Sequence, residues 1–121
     1  MTIELQKNKY SIYKFPPDYI FNFNIFSDDF ISITKTKDEL SIVALQDKFT
    51  GYVSKEDGWR ILKINEVLDF SLVGVISKIS AVLANEGISV FVVSTFNTDY
   101  ILVKEDNAQR ALEVLELRNK L

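Results

Sequence analysis

Apolar and polar residues change their spacing several times along this chain, and each change marks an element. The sharpest signal lies between Ser71 and Glu86, where Leu72, Ile76, Ile79 and Leu83 recur at i, i+4, i+7 and i+11. That is the stripe of a helix with one buried face, and Val75 and Val82 widen it. Ser71 or Asp69 is placed to cap its start, and Gly87 suits the left-handed position just past its end. Upstream, Trp59 to Ile64 sets Trp59 and Ile61 on one face and Arg60 and Leu62 on the other, the period of a strand. Downstream, Ile88 to Ser94 is almost continuously apolar, as in a central strand covered on at least one face. Thr95 to Thr98 turns the chain, and Tyr100 to Val103 is the returning strand. Asp106-Asn107-Ala108-Gln109 has the spacing of a capping box and opens a last helix with Ala108, Ala111, Leu112 and Leu115 on one side.

The first half is poorer in helical pattern. Leu5 to Phe15 is extended, with Asn8 as a break between two short strands, and Pro16-Pro17 ends it by removing a ladder donor. Asp18 to Phe26 is aromatic without a clear period and fits a short helix or a loop. Phe30 to Thr34, the turn Lys35–Asp38, and Glu39 to Leu45 make a hairpin. Gln46 to Gly58 is a polar connector in which Ser54-Lys55-Glu56-Asp57 fits one helical turn.

Residues 59–121 therefore read strand–helix–strand–strand–helix. A split βαββαβ unit needs one strand more. We expect residues 3–7 to supply it. The expected organisation is a first, degenerate unit over 1–58 and a second unit over 59–121 completed by the N-terminal strand.

Composition narrows the function. The chain has 121 residues, 47% apolar and 26% charged, with nine Phe, five Tyr and one Trp, which is a globular composition. It has neither Cys nor His, so disulfides, thiol chemistry, the commonest general base and the commonest metal ligand are all missing. Net charge is −3, and neither half is basic, so no nucleic-acid partner is expected. The first residues lack the basic-then-apolar layout of a signal peptide, and no apolar run approaches the roughly 20 residues that cross a bilayer, so no membrane partner is expected and cytoplasm is the expected compartment. Asp28-Asp29 reads as a solvated turn, because no other ligands stand at metal spacing. No glycine-rich phosphate loop or nucleophile elbow occurs, and nothing positions a Lys or carboxylate for catalysis, so no enzyme, cofactor or metal is expected.

Three stretches carry a family resemblance: Leu68-Asp69-Phe70-Ser71-Leu72-Val73-Gly74-Val75, Leu83-Ala84-Asn85-Glu86-Gly87-Ile88-Ser89-Val90-Phe91, and Ser94-Thr95-Phe96-Asn97-Thr98-Asp99-Tyr100-Ile101-Leu102-Val103. Together they resemble the tandem ACT-domain proteins related to the CASTOR-type arginine sensors and their small bacterial relatives. Phe30 to Thr34, Asp38 to Val43 and Pro16-Pro17-Asp18 are similar to the first half of that family. The aromatic run Tyr19 to Phe26 and the short tail depart from it. The resemblance implies an α+β fold of two ferredoxin-like ACT units packed side by side, with a mostly antiparallel sheet and helices on one face. It also implies a small effector, usually an amino acid, bound where units meet, and self-association as a homodimer across the second unit.

An amino acid is a zwitterion and needs donors for its carboxylate and acceptors for its ammonium. The bend Asp69 to Gly74 leads into a helix whose free N–H groups and dipole suit a carboxylate. Asp69, Phe70, Ser71, Leu72, Val73 and Gly74 are the candidate ligand residues there. Gly74 either admits a ligand closely or eases helix–sheet packing, Asp69 either meets ligand or caps the helix, and Leu72 also belongs to the core stripe. Asp99 either takes the ammonium in a charge-assisted hydrogen bond or caps its own turn; the resemblance places the acidic residue of its run in the effector pocket. Ser94 and Thr95 offer hydroxyls to the ligand or to the sheet edge, and Phe96 either walls the pocket or joins the core. Against this sensing role stand a protein–protein interaction scaffold with a decayed pocket and a small α+β enzyme using Lys or a carboxylate.

Overall fold

A computed structural model describes residues 2–20, 29–65 and 74–119. In chain order the elements are β1 (Ile3–Leu5), β2 (Tyr10–Phe15), β3 (Ser32–Lys35), β4 (Leu40–Leu45), β5 (Ser54–Ile64), α1 (Val75–Asn85), β6 (Phe91–Ser94), β7 (Asp99–Lys104) and α2 (Glu105–Asn119). The chain divides into a discontinuous unit, Met1–Asn8 with Trp59–Leu121, and an inserted unit, Lys9–Gly58.

In the discontinuous unit the strands run antiparallel in the order β1–β5–β7–β6. Ile3 faces Ile64 and Leu5 faces Leu62, so the N-terminal strand lies beside β5. Strand alternation sends Leu62, Ile64, Ile101 and Val103 to one face, where they join Ile79 and Leu83 of α1, Ala108, Ala111 and Leu115 of α2, Ile3 and Ile88 in one core. Leu83 is wholly buried, which favours the folded state by about 2 kcal/mol relative to leaving it in water. The small Ala108 and Ala111 let α2 lie close, and Leu112 packs against the same cluster.

Several boundaries differ from the sequence pattern for local reasons. The described helix α1 runs from Val75, with Gly74 in the N-cap position and no side-chain cap bond among the described residues; Asp69 and Ser71, the expected caps, lie outside them. At its other end Gly87 (φ 71°) donates its N–H to Ala84 O at 2.9 Å, and Ile88 N–H goes to Leu83 O at 2.9 Å. That closure takes the Ile88 backbone for the helix end, so β6 starts only at Phe91. Nor is β6 central: among the described residues its one strand neighbour is β7, and Phe91, Val92 and Val93 are half-buried. The last helix begins at Glu105, straight after β7, which puts Asp106 inside the first turn rather than in a capping position. Two acids there complement the helix dipole.

The inserted unit pairs β2 with β4 from Tyr10↔Leu45 to Phe15↔Leu40, and β3 with β4 from Ser32↔Val43 to Lys35↔Leu40. The predicted hairpin is present, two residues later at its start. Phe30 packs edge-on against Tyr10 (5.7 Å), and Ile31 packs on the core, ahead of the ladder. Tyr13, Phe15, Leu40, Ile42 and Ala44 form that core with Tyr19 and Phe49. The Tyr13 hydroxyl donates to Leu45 O at 2.8 Å and accepts the Lys48 N–H at 3.2 Å, so its burial leaves no polar atom stranded.

Ser54–Asp57 is not a helical turn but the opening of β5. Its polar residues carry no apolar alternation, and polar bonds, one of them across to β2, hold it instead. Asp57 accepts the hydroxyl of the fully buried Ser11 and pairs with Lys55 Nζ at 3.2 Å. The hydrogen bond to Asp57 raises the Lys55 pKa above its ordinary value. Among the described residues both helices lie in the discontinuous unit, and the inserted unit contains only strands, β2, β3, β4 and the opening of β5.

Candidate functional site

The hairpin between β6 and β7 and the carboxyl end of β5 meet at one end of the discontinuous unit's sheet. Ser94 and Asp99 face each other across the last rung, and Ser94 Oγ donates to Asp99 Oδ1 at 2.5 Å. Thr95 N–H and Oγ1 both donate to Thr98 O, at 2.9 and 3.1 Å, while Thr95 Oγ1 accepts the Thr98 N–H at 3.3 Å. The turn is therefore closed by threonine rather than by Asp99. The Asp99 carboxylate has capacity for about four acceptor contacts, so the Ser94 bond leaves room for an ammonium. Phe96 is 80% exposed at the tip and is not a core residue.

Gly74 has φ 85°, a left-handed conformation that costs other L-residues about 1–2 kcal/mol. Among the described residues a Cβ there would meet nothing within 4 Å, so it is the left-handed φ that favours glycine. With neither a side-chain cap bond nor an acid in its first turn, α1 keeps the positive end of its dipole uncompensated by its own side chains. Asp69, Phe70, Ser71, Leu72 and Val73 lie outside the described residues. The structure thus gathers Ser94, Thr95, Phe96 and Asp99 in one hairpin and sets Gly74 at a helix start.

Two residues were not singled out from the sequence. Thr98 is 6% exposed, and its Oγ1 donates to Ile64 O at 3.1 Å, tying the hairpin to β5. The available signal was its place in the Ser-Thr-Phe-x-Thr-Asp run, one residue before a strand. Replacing it by valine keeps the shape and deletes the donor. Thr98→Val is expected to cost about 1–2 kcal/mol, read as a lower urea midpoint at unchanged slope. An unchanged midpoint would mean that the bond contributes nothing. Arg60 is the second: its Nε and Nη2 donate to Gln6 O at 2.9 and 2.7 Å, and its Nη1 pairs with Glu105 Oε2 at 3.2 Å. No periodicity reveals an arginine held on the helix-covered face of a strand.

Among the described residues no group of His, Cys, Asp and Glu could hold a metal, and no helix is long and apolar enough to cross a membrane.

An antiparallel sheet with two helices packed on one face is the layout of one known regulatory class. A family model for the ACT domain matches residues 54–116, over half the chain, and this chain belongs to that family. A further model, described as an N-terminal domain, matches residues 9–51. Within the ACT family the chain is similar to the cytosolic arginine sensor for mTORC1 subunit 1: 38% identical over 63 residues to the Homo sapiens protein and 39% over 61 to that of Bos taurus. Those matches cover 51% and 50% of this chain, but span only 19% and 18% of the sensors' own length. Among solved structures, a protein of Agrobacterium tumefaciens superposes with a TM-score of 0.79 at 29% identity, covering 94% of this chain and 85% of its own. The regulatory subunit of aspartate kinase from Thermus thermophilus superposes at 0.65 with 13% identity, covering 95% of each chain, which speaks to fold alone.

Proposed function

We propose that the chain is a non-catalytic regulatory module whose discontinuous unit binds a small molecule, an amino acid by preference, and works in the cytosol as a homodimer. The observation that carries this reading is the Ser94–Asp99 pair at the open hairpin end, in a run that resembles the arginine sensors. Asp99 takes the ligand ammonium, Ser94 and Thr95 orient it, and Phe96 covers its side chain. The N–H groups that open α1 after Gly74 take the carboxylate, with Asp69, Phe70, Ser71, Leu72 and Val73 leading into them. In this reading the inserted unit is a degenerate ACT-like partner. Ligand shifts the chain between two arrangements only by its differential affinity for them.

The test is isothermal titration with each of the twenty amino acids. One of them is expected to give a saturable heat, and Asp99→Asn is expected to weaken it at least tenfold by removing the charge that faces the ammonium. Silence from all twenty would instead favour an interaction scaffold.

A further inference from the structure

The opening of β5 carries the only Asp-Gly pair of the chain, Asp57-Gly58, and no Asn-Gly pair occurs. In such a pair the amide nitrogen of the glycine can attack the preceding side-chain carboxyl, because glycine puts no Cβ in the way. Gly58 has φ 82°, a left-handed backbone that another residue would adopt only under strain, so the strand itself calls for this glycine. Both reacting groups are held by contacts within the inserted unit. The Gly58 N–H, the nucleophile, donates to Gln46 Oε1 at 2.8 Å, and both residues are half-buried. The Gln46 backbone is anchored in turn, its N–H donating to Lys9 O at 3.0 Å. The Asp57 carboxylate, the electrophile, is 42% exposed, accepts the hydroxyl of the fully buried Ser11 and pairs with Lys55 Nζ at 3.2 Å. Both contacts are made to the ionised carboxylate, whereas the neutral acid is the form that reacts.

We propose that Asp57-Gly58 is a latent self-modification site, a source of isoaspartate, and that Gln46 is the positioning residue that keeps it closed. The step is a cyclisation. Gly58 N forms a bond to Asp57 Cγ, a C–O bond of the neutral acid breaks, and the hydroxyl leaves with the amide proton as water. The product is a succinimide ring. Water then adds to one of its carbonyl carbons and breaks that carbon's bond to nitrogen. Addition at Cγ restores Asp57. Addition at the main-chain carbonyl carbon leaves isoaspartate, whose backbone runs through Cβ and Cγ. The Gln46 oxygen occupies the N–H and fixes its direction, so attack waits until that bond opens. Conversion lengthens the backbone of β5 by one atom just ahead of Trp59 and displaces the acceptor of the buried Ser11 hydroxyl, which loosens the strand opening.

The test is prolonged incubation of the full chain at physiological temperature. Isoaspartate at position 57 is read by electron-transfer fragmentation of the peptide and by labelling with an isoaspartyl methyltransferase. The folded wild type is expected to form it at least tenfold more slowly than the same chain unfolded in guanidinium chloride. Gln46→Met keeps the stem and deletes the acceptor. It should raise the folded rate at least fivefold and speed hydrogen exchange of the Gly58 amide, while exchange along the β2–β4 ladder stays as in wild type. The proposal is overturned if Asp57 stays intact in the unfolded chain, if folded and unfolded wild type react equally fast, or if folded Gln46→Met reacts no faster than wild type. Should Gln46→Met fail to fold, wild type below its unfolding transition decides. Isoaspartate formation that follows opening of the Gly58 amide supports the guard, and formation that ignores it overturns the guard.

Discussion

Deleting residues 2–8 is expected to unfold the discontinuous unit at room temperature. Ile3 is 8% exposed and contributes about 2 kcal/mol by its burial. Gln6 N–H donates to Ile61 O and Asn65 N–H to Thr2 O, both at 2.9 Å, and each such bond contributes about 1 kcal/mol net. The deletion also removes the Gln6 carbonyl from Arg60, leaving a half-buried cation short of an acceptor, at about 1.5–3 kcal/mol. Together these come to about 6 kcal/mol, within the range of the whole folding free energy of a small domain. The measurement is urea unfolding followed by circular dichroism. A truncated chain with a cooperative transition near the wild-type midpoint would show that β1 is dispensable.

Arg60→Met carries the next largest expected effect, a loss of about 2–3 kcal/mol. The methionine keeps much of the aliphatic stem, so the change reads the polar fork rather than packing. Removing the guanidinium frees Gln6 O and releases Glu105 at the start of α2. Arg60→Lys should recover less than half of the loss, because an ammonium cannot reach a carbonyl and a carboxylate with one planar fork. Equal midpoints for Arg60→Lys and wild type would show that charge alone suffices. The two substitutions are best compared in the same denaturant series, since a shared slope separates stability from compaction.

How much of this was legible beforehand depends on what each element uses to hold itself. The α1 stripe and the β5 alternation over Trp59–Ile64 were plain, because burial against one face imposes a period on the sequence. The opening of β5 at Ser54 was not, because Lys55, Asp57 and Ser11 stabilise it through paired polar groups that leave no apolar period. The start of β6 was misplaced because Ile88 is buried and apolar, yet its N–H serves the end of α1. At the candidate site, Ser94 and Asp99 were legible as separate polar residues on either side of a turn, and their mutual hydrogen bond was not. Thr98 was not, since a single buried hydroxyl looks the same in sequence as one facing water. Arg60 and Trp59 illustrate the same limit, as each depends on a neighbour more than forty residues away in sequence.

The pairing of Ile3–Leu5 with Leu62–Ile64 also sets an order of events during synthesis. The strand that closes the β5 edge is made first, and its partner emerges only after the whole inserted unit has been translated. Such long-range pairing is slow, because the loop must be closed before any contact rewards it. For that interval the nascent chain carries a short apolar segment in search of a partner. The inserted unit Lys9–Gly58 pairs β2, β3 and β4 over shorter loops and closes them sooner. Refolding from denaturant should therefore show the inserted unit's aromatic core forming ahead of the discontinuous sheet.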